Sequence, residues 1–295
     1  MIIPDELINR LISGEIVPFV GSGVSMNAGL PGWIELIRPL AEAGGIPWPA
    51  DERDINTEHL LTIAQYYENQ FGRNQLIRFI IDKLDISAAS PSTAHYLLTL
   101  LPVNAIFTTN YDNLLEQAFQ NIGCPANAIV AESELAYWQQ DRTQLIKMCG
   151  DIKRPDSIYF TKSDFNIYAE VNRRLVDVLR MMLETKTALF LGYSLKDPFL
   201  IQTWDSIRLN FGKHQRLAYA LLFDAGPLEI KDLQIRNIHP ILLDDAAKSK
   251  KEIFLDALIA IISLSSKAII RERFERVLKY IQEVSIRKKL LENFS

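Results

Sequence analysis

Short apolar runs and stretches of helically spaced apolar residues alternate along the chain. Continuous apolar runs bounded by glycine or polar residues are typical of buried strands, and the clearest occupy 16–20 and 187–191. Apolar residues at helical spacing fill much of the sequence between such runs, for example over 58–84 and 163–184, where the pattern predicts helices. Strands that alternate with helices predict an α/β fold with a doubly wound, mostly parallel sheet.

Five further strands are predicted, at 103–107, 128–131, 145–148, 216–223 and 240–243. The helical residues between the first and second strands, at about 34–100, predict a helical insertion subdomain. We therefore expect a sheet domain over 1–250 and a helical tail over 251–295.

Polar or glycine residues follow at least four of the predicted strands. Thr108–Asp112 leaves the second strand and enters a helix, which Asn110 or Asp112 is placed to cap. Gly21–Ser25 follows the first strand, and a strand that runs into Gly-x-Gly is one signal of a phosphate-binding loop. Each segment alone is also explained by an ordinary turn or helix cap without a ligand. Because parallel strands end at the same edge, the segments together predict one composite pocket.

Composition narrows the possible functions. The 295 residues carry a net charge of -4, which points to neither nucleic acid nor an anionic membrane. The two cysteines, Cys124 and Cys149, exclude a disulfide framework and a four-cysteine zinc site. The sequence shows no secretion signal and no bilayer-spanning run, so we expect a reduced, cytoplasmic compartment. His95, on a predicted helix, is expected to be a packed residue rather than a catalytic one.

Four segments together resemble the sirtuin superfamily, and especially its zinc-free bacterial branch of NAD hydrolases in anti-phage defence. They are Gly21–Ser25 with Gly29–Pro31, Thr108–Asp112, Gly150–Asp151, and Gly192–Ser194 with Asp197. Thr161 and Asp164 also match a Thr-x-x-Asp-aromatic piece of this branch. The resemblance implies a Rossmann-like fold, NAD as substrate or ligand, and cleavage of the nicotinamide–ribose bond.

The resemblance also implies roles for individual residues. The pyrophosphate and adjoining ribose would be held by the glycine loop, namely Gly21, Ser22, Gly23 and Ser25. Asn110 would be catalytic at the nicotinamide ribose, and Asp112 would help to hold the nicotinamide end. Gly192 and Ser194 would contact the adenosine side. An amide suits the task given to Asn110, because it can orient a nucleophile without being titrated.

Two departures from the family pattern affect the expected chemistry. The zinc module of the deacylases is absent, which predicts no zinc and argues against protein deacylation. Cys149 stands where the family has a catalytic histidine before Gly150. A thiol, with an ordinary pKa of ~8.5 against ~6.5 for histidine, is a poor general base. The chain is then either a slow NAD hydrolase or a catalytically impaired subunit that binds NAD or ADP-ribose and regulates or scaffolds a partner ATPase or nuclease.

The tail carries more apolar positions than a terminal helix pair usually needs. This pattern favours an oligomerisation or partner-docking element, although helices folded back on the core explain it as well. The resemblance implies a homo-oligomer, or a partner such as a ring-forming ATPase or an Argonaute-type protein. The basic tail residues are interpreted as a solvated helix face rather than a nucleic-acid site.

Overall fold

A computed structural model of the protein describes residues 2–49, 55–84, 89–193, 195, 198–265 and 267–294. The strands of this part are, in chain order, β1 (Ile16–Val20), β2 (Ala105–Thr108), β3 (Asn127–Ile129), β4 (Gln144–Lys147), β5 (Thr187–Leu191), β6 (Ala218–Leu222) and β7 (Ile238–Leu242). The helices are α1 (Asp5–Ile12), α2 (Ser22–Met26), α3 (Trp33–Gly44), α4 (Thr57–Phe71), α5 (Arg73–Lys83), α6 (Thr93–Leu98), α7 (Leu114–Asn121), α8 (Lys162–Val171), α9 (Arg173–Thr185), α10 (Pro198–Phe211), α11 (Pro227–Ile235), α12 (Lys250–Leu264), α13 (Lys267–Leu278) and α14 (Val284–Phe294).

The strands form one sheet in the order β3-β4-β2-β1-β5-β6-β7, and every neighbouring pair is parallel. The predicted doubly wound, Rossmann-like α/β fold is therefore confirmed. After β1 the chain builds the sheet on one side as far as β3, and from β5 onwards it builds the other side. The neighbours β1 and β5 thus form the topological switch point, where open α/β sheets bind ligands beyond the carboxyl ends of their strands.

Both faces of the central strands β2, β1, β5 and β6 are buried, which explains why these strands are mostly apolar. In β1, Val17 and Phe19 point into one core, and Ile16 and Val20 point into the other. The first core packs the sheet against α3–α5 and α8–α11, and the second packs it against α1, α6, α7 and α12–α14. Phe19 stacks on Phe107 of the neighbouring strand with ring centroids 5.1 Å apart. The switch point therefore rests on a tightly packed strand pair.

Pro18 lies in a central strand although proline has no backbone N–H to donate. Towards β5, all five residues of β1 have partners. Towards β2, pairing begins only at Phe19. Pro18 therefore precedes the paired stretch on that side, where a donor is not needed.

The prediction of one helix over 163–184 is wrong. Asn172 interrupts it with φ -111° and ψ 38°, and α8 and α9 lie on either side. Within α8 only Tyr168 is buried, whereas α9 buries four apolar residues against the sheet. The break lets the second helix turn its apolar face towards the core. The bounds of β1 and β5 are as predicted, and those of the other five strands shift by one or two residues, as where 103–107 becomes β2.

The first tail helix, α12, is part of the core. Its buried residues are Ile253, Phe254, Leu255, Ala257, Leu258, Ile259, Ile261 and Ile262. They belong to the second core and pack together with apolar residues of α6, α14 and the sheet. Within the described ranges, no helix combines the length and apolarity needed to cross a bilayer.

The remaining tail helices lie over the ends of α6 and α7. Arg273 Nη1 donates to the carbonyl of Thr99 at 3.0 Å, and Arg276 Nη1 donates to the carbonyl of Ile122 at 3.1 Å. Both carbonyls lie at helix C-termini, where cationic donors are favourable. The tail is therefore folded back on its own chain. Its proposed part in oligomerisation or partner docking stays a prediction.

Candidate functional site

The loops after β1, β2, β4 and β5 meet at the carboxyl edge of the sheet. Three polar side chains from two of these loops form one hydrogen-bonded group, the Ser25–Asn110–Asp112 network. Ser25 Oγ donates to Asp112 Oδ2 at 2.7 Å, and Asn110 Nδ2 donates to Ser25 Oγ at 3.0 Å. Asn110 Nδ2 also lies 3.2 Å from the carbonyl oxygen of Gly21. The structure therefore brings together four residues that the sequence analysis placed in one pocket.

The conformation of the loop after β2 explains its sequence. Thr108 Oγ1 donates to the carbonyl of Val20 at 2.8 Å and accepts the N–H of Asn110 at 3.1 Å. Asp112 Oδ1 accepts the N–H of Leu114 at 3.0 Å at the start of α7. The N-cap of α7 is Asn113, whose side chain makes no cap bond, so the predicted cap by Asn110 or Asp112 is not at the N-cap position. Asp112, one residue earlier, bonds the first N–H of the helix, and the Asn110 side chain belongs to the network. None of the described residues donates a hydrogen bond to Asn110 Oδ1.

The glycine loop after β1 packs directly against the loop after β5. Gly23 N donates to the carbonyl of Gly192 at 3.0 Å, and Gly192 has a φ of 60°. A Cβ on Gly192 would lie 2.6 Å from the nitrogen of Val24, and one on Gly21 would lie 2.5 Å from the Gly192 oxygen. Loop-to-loop contact therefore requires these glycines whether or not a phosphate binds. Ser194, the other residue expected in the second loop, lies outside the described residues.

A polar cleft of about 360 Å³ opens beside the network. Its lining includes Ser22, Ser25, Trp33, Asn110 and Asp112. The network supplies the hydroxyl, amide and carboxylate groups of this lining, for which we call this space the polar cleft, and leucine, proline and indole side chains supply most of the rest. A cleft with a few convergent polar groups is the usual form of a small-molecule site.

The position of Trp33 in this cleft depends on the Thr161–Asp164 segment. Trp33 stacks on Phe160 with ring centroids 5.4 Å apart. Asp164 Oδ2 accepts the N–H of Phe160 at 2.7 Å and pairs with Arg73 Nη1 at 2.8 Å, while Thr161 caps α8. This segment therefore ties a helix of the insertion to one wall of the polar cleft. The sequence analysis did not predict a role for Trp33.

Cys149 lies apart from the network, in the wall of a second cleft. This apolar cleft also measures about 360 Å³ and includes Phe165, Tyr168, Tyr193 and Leu200 in its lining. Thr109 lines both clefts, so the two clefts adjoin at this residue. Cys149 is buried, and its carbonyl accepts the N–H of Tyr159 at 3.0 Å. Cys149 and Asn110 were predicted to share one catalytic site; in the structure they line adjacent clefts that both include Thr109, and their joint catalytic role stays a prediction.

Gly150 shapes the loop that carries Cys149. Its φ is 98°, and a Cβ would lie 2.2 Å from the carbonyl oxygen of Ser157. Asp151 N donates to Ser157 Oγ at 3.0 Å. The Gly150–Asp151 pair is therefore required by a tight turn against 157–159, and this turn fixes where the Cys149 side chain lies.

Lys147, which the sequence analysis did not select, is buried beneath the site. Its ammonium donates to Asp151 Oδ2 at 2.8 Å and to Glu116 Oε1 at 2.9 Å. Burial by itself would lower the pKa of Lys147, but Glu116 and Asp151 outweigh it and raise the pKa. Lys147 is therefore charged at neutral pH. A lysine within the apolar strand 145–148 was the sequence signal that could have identified it.

His95 is a packed residue, as expected. Its Nδ1 lies 3.1 Å from the backbone nitrogen and 2.9 Å from the hydroxyl of Ser92, so the ring completes the cap of α6. Burial lowers the pKa of His95 to about 4, while the charge of Asp112 acts weakly in the opposite direction. The imidazole is therefore neutral in the folded protein at neutral pH.

Comparison with known proteins places this geometry in a family. The model of the SIR2-like domain matches residues 104–241. The NAD(+) hydrolase ThsA of Acinetobacter baumannii (strain 532279) is 34% identical over 220 residues, which cover 74% of this chain and 44% of the relative. ThsA of Bacillus cereus (strain MSX-D12) is 31% identical over 69% of this chain and 42% of the relative. Defense-associated sirtuin 2 of Bacillus subtilis is 26% identical over 65% of this chain and 19% of the relative. The chain thus spans about half the length of the ThsA relatives, or less.

Proposed function

The chain belongs to the SIR2-like family, and from that premise we propose that it is an NAD hydrolase that cleaves the nicotinamide–ribose bond and releases nicotinamide. The names of the ThsA relatives support this activity, and the name of the Bacillus subtilis relative supports a role in defence. We propose that the chain serves such a role by depleting NAD. The match covers less than half of the ThsA proteins, so the activity is carried to this chain as a proposal.

The observation that carries the proposal is the Ser25–Asn110–Asp112 network at the switch point. Ser25 fixes both other side chains, so the Asn110 amide and the Asp112 carboxylate have defined positions beside the polar cleft. Cleavage of a glycosidic bond to nicotinamide passes through an oxocarbenium-like state with positive charge on the ribose. A fixed carboxylate and amide oxygen favour such a charge, and a fixed amide can orient the attacking water.

The remaining contacts to NAD follow the family pattern. Ser22 and Ser25 line the polar cleft, which supports a contact between the glycine loop and the pyrophosphate or its ribose. Gly23 uses its N–H inside the protein, so we expect it to support the loop rather than to donate to phosphate. Gly192 and Ser194 are proposed for the adenosine side. No zinc is needed for this reaction.

Cys149 is proposed to limit turnover. It occupies the position of the family's general-base histidine, and a thiol performs this task poorly near neutral pH. Among the described residues that line the cleft around Cys149, none is a histidine or a carboxylate that could replace it as general base. We therefore expect slow nicotinamide release from a site whose NAD-binding loops are intact.

Nicotinamide release from NAD tests the proposal directly. The full chain is expected to release nicotinamide, and Asn110→Ala is expected to reduce kcat about 100-fold or more, since it removes the group that orients the nucleophile. Asn121→Ala is a matched control, because its amide donates to the Tyr96 hydroxyl at the far end of α7. An inert wild-type chain, or an Asn110→Ala variant as fast as wild type, would show that the proposal is wrong.

Assembly remains a separate proposal. We expect a homo-oligomer, with a ring-forming ATPase or an Argonaute-type protein as an alternative partner. Light scattering on the full chain tests the first expectation, and a monomer at micromolar concentration would contradict it.

A further inference from the structure

Lys147 differs from the other basic residues in its environment. Among the described residues it is the one lysine or arginine whose side chain is fully buried. It lies on β4 beside Thr108 of β2, so its side chain runs beneath the loop that carries Asn110 and Asp112. A buried charge is costly unless it is paired and hydrogen-bonded. The groups that bond to this ammonium therefore indicate the role of Lys147.

Two of these partners are backbone carbonyls of the site loop. Lys147 Nζ donates to the Asp112 carbonyl at 2.7 Å and lies 3.3 Å from the Tyr111 carbonyl. The Tyr111 carbonyl also accepts the N–H of Ile152 at 2.9 Å. The ammonium thus holds the backbone of Asp112 from below, while Ser25 holds its side chain from the cleft side.

The other two partners belong to the elements on either side of that loop. Glu116 lies in the first turn of α7, directly after the loop. Asp151 follows Cys149 and Gly150, and its second oxygen, Oδ1, accepts the N–H of Lys153 at 2.7 Å. One ammonium therefore joins the loop of Asn110, the start of the next helix and the loop of Cys149.

We propose that Lys147 is a positioning residue, whose ammonium keeps the Asn110–Asp112 loop and the Cys149 loop in the relative placement that NAD cleavage needs. The inference rests on the proposed function, but Lys147 lines neither cleft and need not touch the substrate. A hydrophobic side chain of similar length could fill the space but could not donate to the Asp112 carbonyl. Loss of the ammonium should therefore loosen the geometry of the reacting groups more than it weakens the binding of NAD.

Steady-state kinetics of Lys147→Met test this separation. We expect kcat for nicotinamide release to fall about 10- to 100-fold, because small displacements of reacting groups have effects of this size. KM is expected to change by less than about threefold, because the glycine loops are untouched. Lys186→Met is the matched control. Lys186 Nζ also donates to a loop carbonyl, that of Gly14, at 2.6 Å. Because Lys186 directly precedes β5, this bond lies away from the carboxyl edge of the sheet. The kcat of Lys186→Met should equal that of wild type.

Lys147→Met leaves the buried Asp151 carboxylate and the partly buried Glu116 carboxylate without their cation and therefore also lowers stability. A variant that combines Lys147→Met with Glu116→Gln and Asp151→Asn removes this imbalance. Its melting temperature is expected to recover towards wild type, whereas its kcat stays low because no ammonium reaches Asp112. Recovery of kcat together with stability would overturn the proposal, as would a wild-type kcat in Lys147→Met.

Hydrogen exchange gives a readout that does not depend on turnover. In Lys147→Met, well below its melting temperature, the amides of Leu114 and Ile152 should exchange faster, because both bond to the loop that Lys147 holds. The amide of Gly21, bonded to the Leu191 carbonyl, should be unchanged. If the wild type releases no nicotinamide, the proposed function fails. Unchanged exchange at Leu114 and Ile152 would then refute the positioning role independently.

Discussion

Ser25→Ala is the most informative single change to the candidate site. Ser25 is 3% exposed, and its hydroxyl is the hub of the network. It donates to Asp112 Oδ2 at 2.7 Å and accepts from Asn110 Nδ2 at 3.0 Å. Alanine removes both bonds and leaves the surrounding backbone unchanged.

The size of the effect follows from what each partner retains. Asp112 keeps the bond from Leu114 N on its other oxygen, and Asn110 keeps the carbonyl of Gly21. Neither side chain is left wholly without a partner, but one oxygen of a buried carboxylate loses its donor. A hydrogen bond to a charged group contributes about 1.5–3 kcal/mol, so we expect the free energy of unfolding to fall by about 2 kcal/mol. For a chain of 295 residues the melting temperature should fall by about 3 °C.

Thermal denaturation and nicotinamide release should be measured on the same preparation. The freed Asn110 side chain should reduce kcat about tenfold, since its orientation is no longer fixed from two sides. Ser265→Ala is the control, because Ser265 is also buried and its hydroxyl donates to the Ile262 carbonyl in the tail, away from the site. If Ser25→Ala were as stable and as active as wild type, the network would not organise the site.

Four further predictions follow from particular contacts. Cys149→His should increase kcat for nicotinamide release by up to ~10²-fold, because histidine is a much better general base than a thiol near neutral pH. An unchanged kcat would show that the thiol does not limit turnover. Gly192→Ala should lower the melting temperature much more than the control Gly212→Ala does. Both glycines have a positive φ, but a methyl group at Gly192 would lie 2.6 Å from the backbone nitrogen of Val24, whereas one at Gly212 would meet open space. Equal losses would contradict the packing of the two loops. His95 has a pKa lowered by burial from 6.5 to about 4, so unfolding takes up a proton between these values. The stability that this group contributes is complete above pH 6.5 and is lost as the pH falls towards 4, by about 1.4 kcal/mol per pH unit, and urea denaturation of His95→Asn should show a flatter dependence. Removal of 251–295 should abolish the cooperative unfolding transition in calorimetry. The buried apolar side chains of α12 contribute about 1.5–3 kcal/mol each, and their sum exceeds the free energy of unfolding of a typical domain.

Much of the fold was accessible from the sequence because a parallel sheet buried on both faces leaves a strong local signal. All seven strands correspond to apolar runs, and the residues after four of them carry the polar and glycine positions of the site. The helix break at Asn172 was missed, since helical periodicity continues through it and only the face that meets the core changes. The sequence also did not decide whether the tail packs on its own chain or on a partner, because an apolar helix face has the same pattern in both cases.

The sequence by itself determined which residue types follow each strand, and therefore that Asn110, Asp112 and the glycine loop share one edge of the sheet. It did not determine how they meet. Ser25 and Asp112 are 87 positions apart, and their hydrogen bond exists only because β1 and β2 are neighbours. Tertiary structure likewise placed Cys149 in an apolar cleft that adjoins the polar one, and it gave Lys147 its partners on two loops and a helix. The physical reason is that local pattern fixes which groups are buried, whereas strand order decides which buried groups face one another.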